Sequence, residues 1–307
     1  MHRRRFLKSL SITAASGLSL SAFKATAEQS QSLVILHTND THSWLESFPK
    51  DHAQFPGLGG AARRAHLVNQ IRSQNQNVLL LDSGDVFQGT PYFNMFGGEV
   101  EFKVMSAMKY DVGTLGNHDF DGGVDGLVKQ MPHASFEFVS ANYNVKGSVL
   151  EPYIRPYTIK RFGEMKIGIF GLGIEFHGRV LSNLHRGVSY EDPILKARQT
   201  VDELKSNNCQ FIICLSHLGY RYKKDLVSDI NLAHEVPGID LILGGHSHTF
   251  LDRPDHIRHQ KNSETMIHQV GWAGIRLGRI DVRFSSLNHP VRQEIGSYLM
   301  DRDNMIA

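Results

Sequence analysis

Runs of apolar residues rich in Leu, Ile, Val and Phe recur along the chain at 33–36, 78–81, 136–139, 166–170, 211–215 and 241–243. Most are nearly continuous rather than alternating, which is the pattern of strands covered on both faces. Helical stretches at 61–72 and 193–206 separate several of them, and the succession predicts an α/β fold. Near the C-terminus, 265–270 and 278–284 alternate more, as antiparallel strands finishing a sheet would. The polar residues 285–307 are expected to form a surface or linker helix, or a frayed tail. No internal repeat interrupts this order, so 28–307 is read as one domain.

Composition narrows the class. A chain of 307 residues, 41% hydrophobic and 21% charged, can bury a sizeable core and is not a disordered polymer. Its formal charge of +2 is misleading, because Arg3, Arg4, Arg5, Lys8 and Lys24 lie in the first 27 residues, which hold no acid. Residues 28–307 carry 28 basic against 31 acidic groups, a balance of −3 that argues against a nucleic-acid polymer as partner. Two cysteines, Cys209 and Cys214, build neither a disulfide framework nor a thiolate metal site, and are read as buried free thiols.

The first 27 residues form a charged start, a short Ser-rich apolar stretch to Phe23, and Ala25-Thr26-Ala27, a small-x-small cleavage pattern. Arg3-Arg4-Arg5-Phe6-Leu7-Lys8 resembles the twin-arginine export signal R-R-x-F-L-K, which implies a periplasmic protein exported already folded. No later segment is apolar enough for a stable membrane span.

The chemistry sits at the ends of the apolar runs. The first run leads into Asp40 and His42, and in extended chain residues i and i+2 share a face, so both can converge on one ion. The second ends Asp82-Ser83-Gly84-Asp85, where the glycine permits a sharp turn. Either carboxylate can ligate, with the Gly-Asp order favouring Asp85 over Asp82. Next comes Gly116-Asn117-His118-Asp119-Phe120-Asp121, in which Asn117 offers an amide oxygen, His118 can carry a proton and Asp121 can orient its ring. His217 follows the fifth run, where a lone histidine taken by itself reads as core more readily than as ligand. His246 and His248 follow glycines after the sixth, at i and i+2 on one expected side-chain face. Five such blocks converge on the crevice beyond the carboxyl ends of an α/β sheet, where ligands bind in such folds.

Together D-x-H, G-D, G-N-H-[DE], a lone His and G-H-x-H resemble the calcineurin-like dinuclear metallophosphoesterase superfamily. Thr38-Asn39-Asp40-Thr41-His42, Gly59-Gly60, the 116–121 block, Ser140-Ala141-Asn142 and Gln269-Val270-Gly271-Trp272 resemble the catalytic domain of its 5′-nucleotidase and UDP-sugar hydrolase family. The resemblance covers about 33–284. It implies a four-layer α/β/β/α sandwich with two central mixed sheets, and two divalent cations, either Mn, Zn, Fe, Co or Mg. One ion would be held by Asp40, His42, Asp85 and His248, and the other by Asp85, Asn117, His217 and His246. His118 would be the catalytic histidine and Asp121 its partner. Asp119 stands where the family more often has Glu, and is not implied to be a ligand.

The implied reaction is hydrolysis of phosphate esters, nucleotides above all, by in-line attack of a hydroxide shared between the ions. The family's C-terminal substrate-binding domain has no counterpart in the sequence, so nucleoside recognition has no evident home here. A separate chain supplying that half is one expectation, and a small phosphate ester as substrate is another. Two further alternatives are a non-catalytic metal-stabilised subunit of a periplasmic complex and a sulfur-oxidation-type hydrolase of the same family.

Overall fold

The structure, a computed structural model, describes residues 31–223, 226–259, 263–286 and 289–300. The export signal read at 1–27 lies outside the described residues. The first half of the chain runs β1 (Gln31–Thr38), α1 (Ala61–Gln74), β2 (Val78–Asp82), α2 (Pro91–Phe96), α3 (Glu99–Ala107), β3 (Val112–Gly113), a 3-10 turn (His118–Phe120), α4 (Gly123–Gln130), β4 (Glu137–Val139), β5 (Tyr143–Asn144) and β6 (Ile154–Arg155). The second half runs β7 (Tyr157–Phe162), β8 (Met165–Gly173), β9 (Ser189–Tyr190), α5 (Pro193–Ser206), β10 (Phe211–His217), α6 (Asp229–Glu235), β11 (Leu241–Gly244), β12 (Asp255–Arg258), β13 (Glu264–His268), β14 (Arg276–Ser286) and β15 (His289–Leu299).

Two mixed sheets stack face to face. One has the order β15-β14-β1-β2-β3-β4-β6 and the other β12-β13-β11-β10-β8-β7, with β5 and β9 as a small separate pair. Alternation along β1 explains the unbroken apolar runs. Leu33 and Ile35 point into the layer between the sheets with Ile167, Ile213 and Leu243, while Val34 and Leu36 pack outward on Leu67, Val68 and Ile71 of α1. The second sheet repeats the device, with Phe170, Ile212 and Ile242 facing Ala197, Val201 and Leu204 of α5. This is the expected four-layer α/β/β/α sandwich.

Within each sheet the parallel strands β1, β2 and β8, β10, β11 all end at the same edge, and that edge carries the chemistry. The two edges are tied together by Ser83, whose Oγ donates to Leu243 O at 2.7 Å.

The C-terminal expectations divide. β14 is antiparallel to β1, as its alternation predicts. β13 instead pairs in parallel with β11, and only its other neighbour, β12, is antiparallel to it. The helix or tail expected over 285–307 is replaced, across 289–299, by β15, antiparallel to β14. An edge strand is sustained by its backbone ladder and needs no continuous apolar run, so a polar sequence concealed it. Cys214 is buried and free as expected, but Cys209, just before β10, is only half-buried.

Candidate metal centre

Seven of the eight side chains implied as ligands or catalytic histidine lie in loops immediately after β1, β2, β3 and β11, and His217 is the last residue of β10. Two groups form. Asp40, His42 and His248 bring their ligand atoms within 4.8 Å of one another, and so do Asp85, His217 and His246. Asp85 touches both, with Oδ2 3.0 Å from His217 Nε2 and 3.9 Å from His42 Nε2. Asp40 Oδ1 lies 3.4 Å from His248 Nε2 and 3.9 Å from His217 Nε2.

The local backbone differs from the extended pairs expected. Asp40, His42, Asp85, His246 and His248 all have positive φ, between 47° and 68°. Such left-handed turns cost about 1–3 kcal/mol per non-glycine residue and persist where the surroundings over-determine them. His246 and His248 therefore do not share one face but are split between the two groups. Gly84, with φ of 86°, makes the turn before Asp85. Gly116 is needed for space, because a Cβ there would sit 2.2 Å from Asp85 Oδ1.

Hydrogen bonds fix the rings. His217 Nδ1 faces Ser83 O at 2.7 Å, and His42 Nδ1 faces Phe87 O at 3.1 Å. A carbonyl only accepts, so each Nδ1 carries a hydrogen and each Nε2 faces the cleft, where a cation would take the place of any second proton. His246 N donates to both Asp40 oxygens at 3.0 Å. The Gln269 amide bonds Gly245 O, Ser247 Oγ and Thr249 N, bracing the loop of His246 and His248. Trp272 lies parallel to the His248 ring, 7° off and 5.6 Å away.

The electrostatics call for cations. Asp40 and Asp85 are both buried, and the rings of His42 and His217 each lie within 4 Å of both carboxylates. Burial opposes ionisation of Asp85, yet the neighbouring His217 holds its carboxyl well below the usual range. Burial likewise opposes a proton on His217, but Asp85 and then Asp40 keep that proton up to about 10. Burial and His217 together push His246 down to about 4. Buried Asn117 Oδ1 has no hydrogen-bond partner, and His217 Nε2 meets only carboxylates, Asp85 Oδ2 at 3.0 Å and Asp40 Oδ1 at 3.9 Å. Carboxylate, amide oxygen and imidazole in this arrangement fit divalent cations of the Mn, Fe, Co or Zn type.

His118 stands at the rim. Its Nδ1 donates to Asp121 Oδ2 at 2.8 Å, and its ring meets His42 edge-on at 5.3 Å. That hydrogen bond raises its proton affinity against the pull of burial, with Asp85 adding to the effect.

Two aspartates acquire distinct positions. Asp82 turns away from the cluster, accepting from Thr38 Oγ1 at 2.6 Å and Gly84 N at 2.9 Å, which leaves Asp85 as the carboxylate facing the cleft. Asp119, to which the sequence assigned no role, accepts from Asp85 N, Val86 N, Phe87 N and Gly116 N at 2.8 to 3.2 Å. It clamps the two loops bearing Asp85 and Asn117 together. Burial, followed by the charge of Asp85, pushes it up to about 7. The turn after Gly84 was the signal available: its N–H groups needed an acceptor, and Asp119 is the nearest acid in the next block.

Known proteins resemble this chain in sequence and fold. The snake venom 5′-nucleotidase of Crotalus adamanteus is 32% identical over 91% of this chain and 50% of its own length. The 5′-nucleotidase of Homo sapiens is 38% identical over 76% of this chain and 41% of its own. The crystal structure of a 5′-nucleotidase precursor from Thermus thermophilus superimposes with a TM-score of 0.80 at 31% identity, over 89% of this chain and 55% of that one. The chain thus spans about half the length of the relatives it matches. The family description "Calcineurin-like phosphoesterase" matches residues 33–250, and with two Asp/His groups at the shared strand edge, the chain belongs to the calcineurin-like phosphoesterase family.

Proposed function

We propose that this chain is a hydrolase of phosphoric monoesters, with nucleotides as its main substrates, working at two divalent cations. The observation that carries the reading is Asp85 within reach of both Asp/His groups, beside a histidine oriented by its own carboxylate. Asp40, His42 and His248 would hold one cation, Asn117, His217 and His246 the other, and Asp85 would serve both. Bound there, such a pair supplies Lewis acidity to phosphoryl oxygens and lowers the pKa of a water.

The chain's own contribution is positional. The left-handed turns aim the ligands, and the carbonyls of Ser83 and Phe87 hold two imidazoles in the tautomer that leaves Nε2 free. His118, with Nδ1–H committed to Asp121, keeps Nε2 for the substrate. Its raised proton affinity favours donating a hydrogen bond to a phosphoryl oxygen or protonating the leaving oxygen, a role typically worth about 10²- to 10⁴-fold. A purely structural metal site has no use for this pair, which disfavours the non-catalytic subunit.

Export through the twin-arginine route to the periplasm belongs to the same reading, and cell fractionation checks it. Among the described residues no helix is long and apolar enough to cross a membrane. The test of function is elemental analysis of the mature protein with a panel of nucleoside mono- and diphosphates, UDP-sugars, cyclic nucleotides and an aryl phosphate. Two cations per chain with turnover of nucleoside monophosphates supports it. A metal-replete chain inert toward every ester contradicts it.

A further inference from the structure

His248 is the most open member of its group, with 40% of its side chain exposed against 8% for His42 and none for Asp40. Carbonyls hold Nδ1 of His42 and of His217, but among the described residues no hydrogen bond reaches Nδ1 of His248. A ligating imidazole almost always has such a bond, which sets the orientation of the ring. Left to itself, rotation about Cβ–Cγ is broad and roughly two-fold.

The flat face of Trp272 stands in that place. Its indole lies 7° from parallel to the His248 ring at 5.6 Å between centroids, an offset stack, while His42 meets the same ring at 66° and 5.0 Å. The indole is itself braced. Trp44, Phe48 and Phe55 meet it edge-on or nearly so, at 6.1, 5.9 and 6.2 Å between centroids, and Phe48 is buried. Its backbone is tied to both loops that carry the group. Gly271 N donates to Thr249 O at 2.9 Å, next to His248, and Ala273 N donates to Asp40 O at 2.8 Å. Asn39 joins the two sides, with Nδ2 donating to Gly271 O and to Asp40 Oδ2 at 2.6 Å each.

We propose that Trp272 is a positioning residue for His248, its indole face holding the imidazole in the plane that aims Nε2 at Asp40 and the cleft. It does by stacking what the carbonyls of Phe87 and Ser83 do for His42 and His217. Its influence is confined to the cation of Asp40, His42 and His248, because the ring it touches belongs to that group alone. Packing would be served by any large apolar side chain. A stack needs an aromatic plane.

The inference rests on the two-cation reading, so the full chain is stripped with chelator and titrated with Mn by calorimetry. The variants are Trp272→Ala, Trp272→Leu and Trp272→Phe, with folding checked by urea unfolding in chelator. The wild type should take up two equivalents. Trp272→Ala and Trp272→Leu should weaken one of the two by about 10- to 100-fold and leave the other within about twofold, and Trp272→Phe should recover most of the loss. If Trp272→Ala does not fold, Leu against Phe decides. Wild-type affinity for both cations in Trp272→Leu, or equal losses in Leu and Phe, overturns the stack. A raised KM for an aryl phosphate at unchanged Mn affinity also overturns it, by setting the indole against the substrate instead. Fewer than two equivalents in the wild type defeats the two-cation reading, and the stack is then judged by proton NMR in chelator. The His248 C–H resonances, identified by their loss in His248→Gln, should be moved upfield by the indole ring current and return in Trp272→Leu. Resonances that do not move between wild type and Trp272→Leu overturn it.

Discussion

Asp119→Ala removes the one acceptor shared by the N–H groups of Asp85, Val86, Phe87 and Gly116, four residues that are all buried. Each buried donor left unsatisfied costs about 1–3 kcal/mol. Burying the carboxylate is itself unfavourable, as its rise to about 7 shows, and its removal returns part of that cost. If half of the donors find water or a neighbour, the other two cost about 2–6 kcal/mol before that return, and Tm falls by up to roughly 4–24 °C. Asp119→Asn keeps one oxygen, able to serve Val86 and Phe87, but sets an NH2 against the other two donors, so its loss should be about half as large. Urea unfolding of both variants in chelator isolates the clamp from any contribution of cations. Cation affinity should fall in parallel, since Asp85 is carried on the loop that loosens. Stability of Asp119→Ala within about 1 kcal/mol of wild type would refute the clamp.

Three other outcomes are expected. His118→Asn should lower turnover about 10²- to 10⁴-fold with cation content intact, checked by steady-state kinetics and elemental analysis on one sample. Gly116→Ala should abolish cation binding in a chain that still folds, because its Cβ would stand 2.2 Å from Asp85 Oδ1; two bound cations in that variant would contradict the geometry. His37 and His268 are a buried pair, Nε2 to Nδ1 at 2.8 Å, away from the cluster. Burial, then His268, drives His37 well below 6.5, and burial drives His268 down to about 4. The folded pKa values lie below the unfolded ones, so the unfolded chain takes up protons first. Stability is full above pH 6.5 and declines below it by about 1.4 kcal/mol per pH unit for each ring. The His37→Gln/His268→Gln double variant should therefore lose less stability than wild type between about pH 7.5 and pH 5.5, and equal losses would exclude the pair as the cause.

Much of this site was legible because the buried strands are marked by apolar runs and the Asp, Asn and His residues of the two groups sit just past them. Asp40, Asp85, Asn117 and His217 needed only that rule, together with the family motifs, to be placed at one edge. The rest depended on backbone geometry that residue types do not encode. Positive φ at Asp40, His42, His246 and His248 replaces the shared extended face, and for that reason His246 and His248 end in different groups. Asp119 was invisible because its partners are backbone amides 32 to 34 residues earlier in the chain, as well as Gly116. β15 was missed because a sheet edge tolerates polar residues that also suit a helix or a tail.

A cation pair sharing Asp85 is tested most directly by anomalous diffraction from crystals grown with Mn. Two peaks, about 3.5–4 Å apart with the Asp85 carboxylate between them, are expected. A single peak, or two that do not share Asp85, would contradict it.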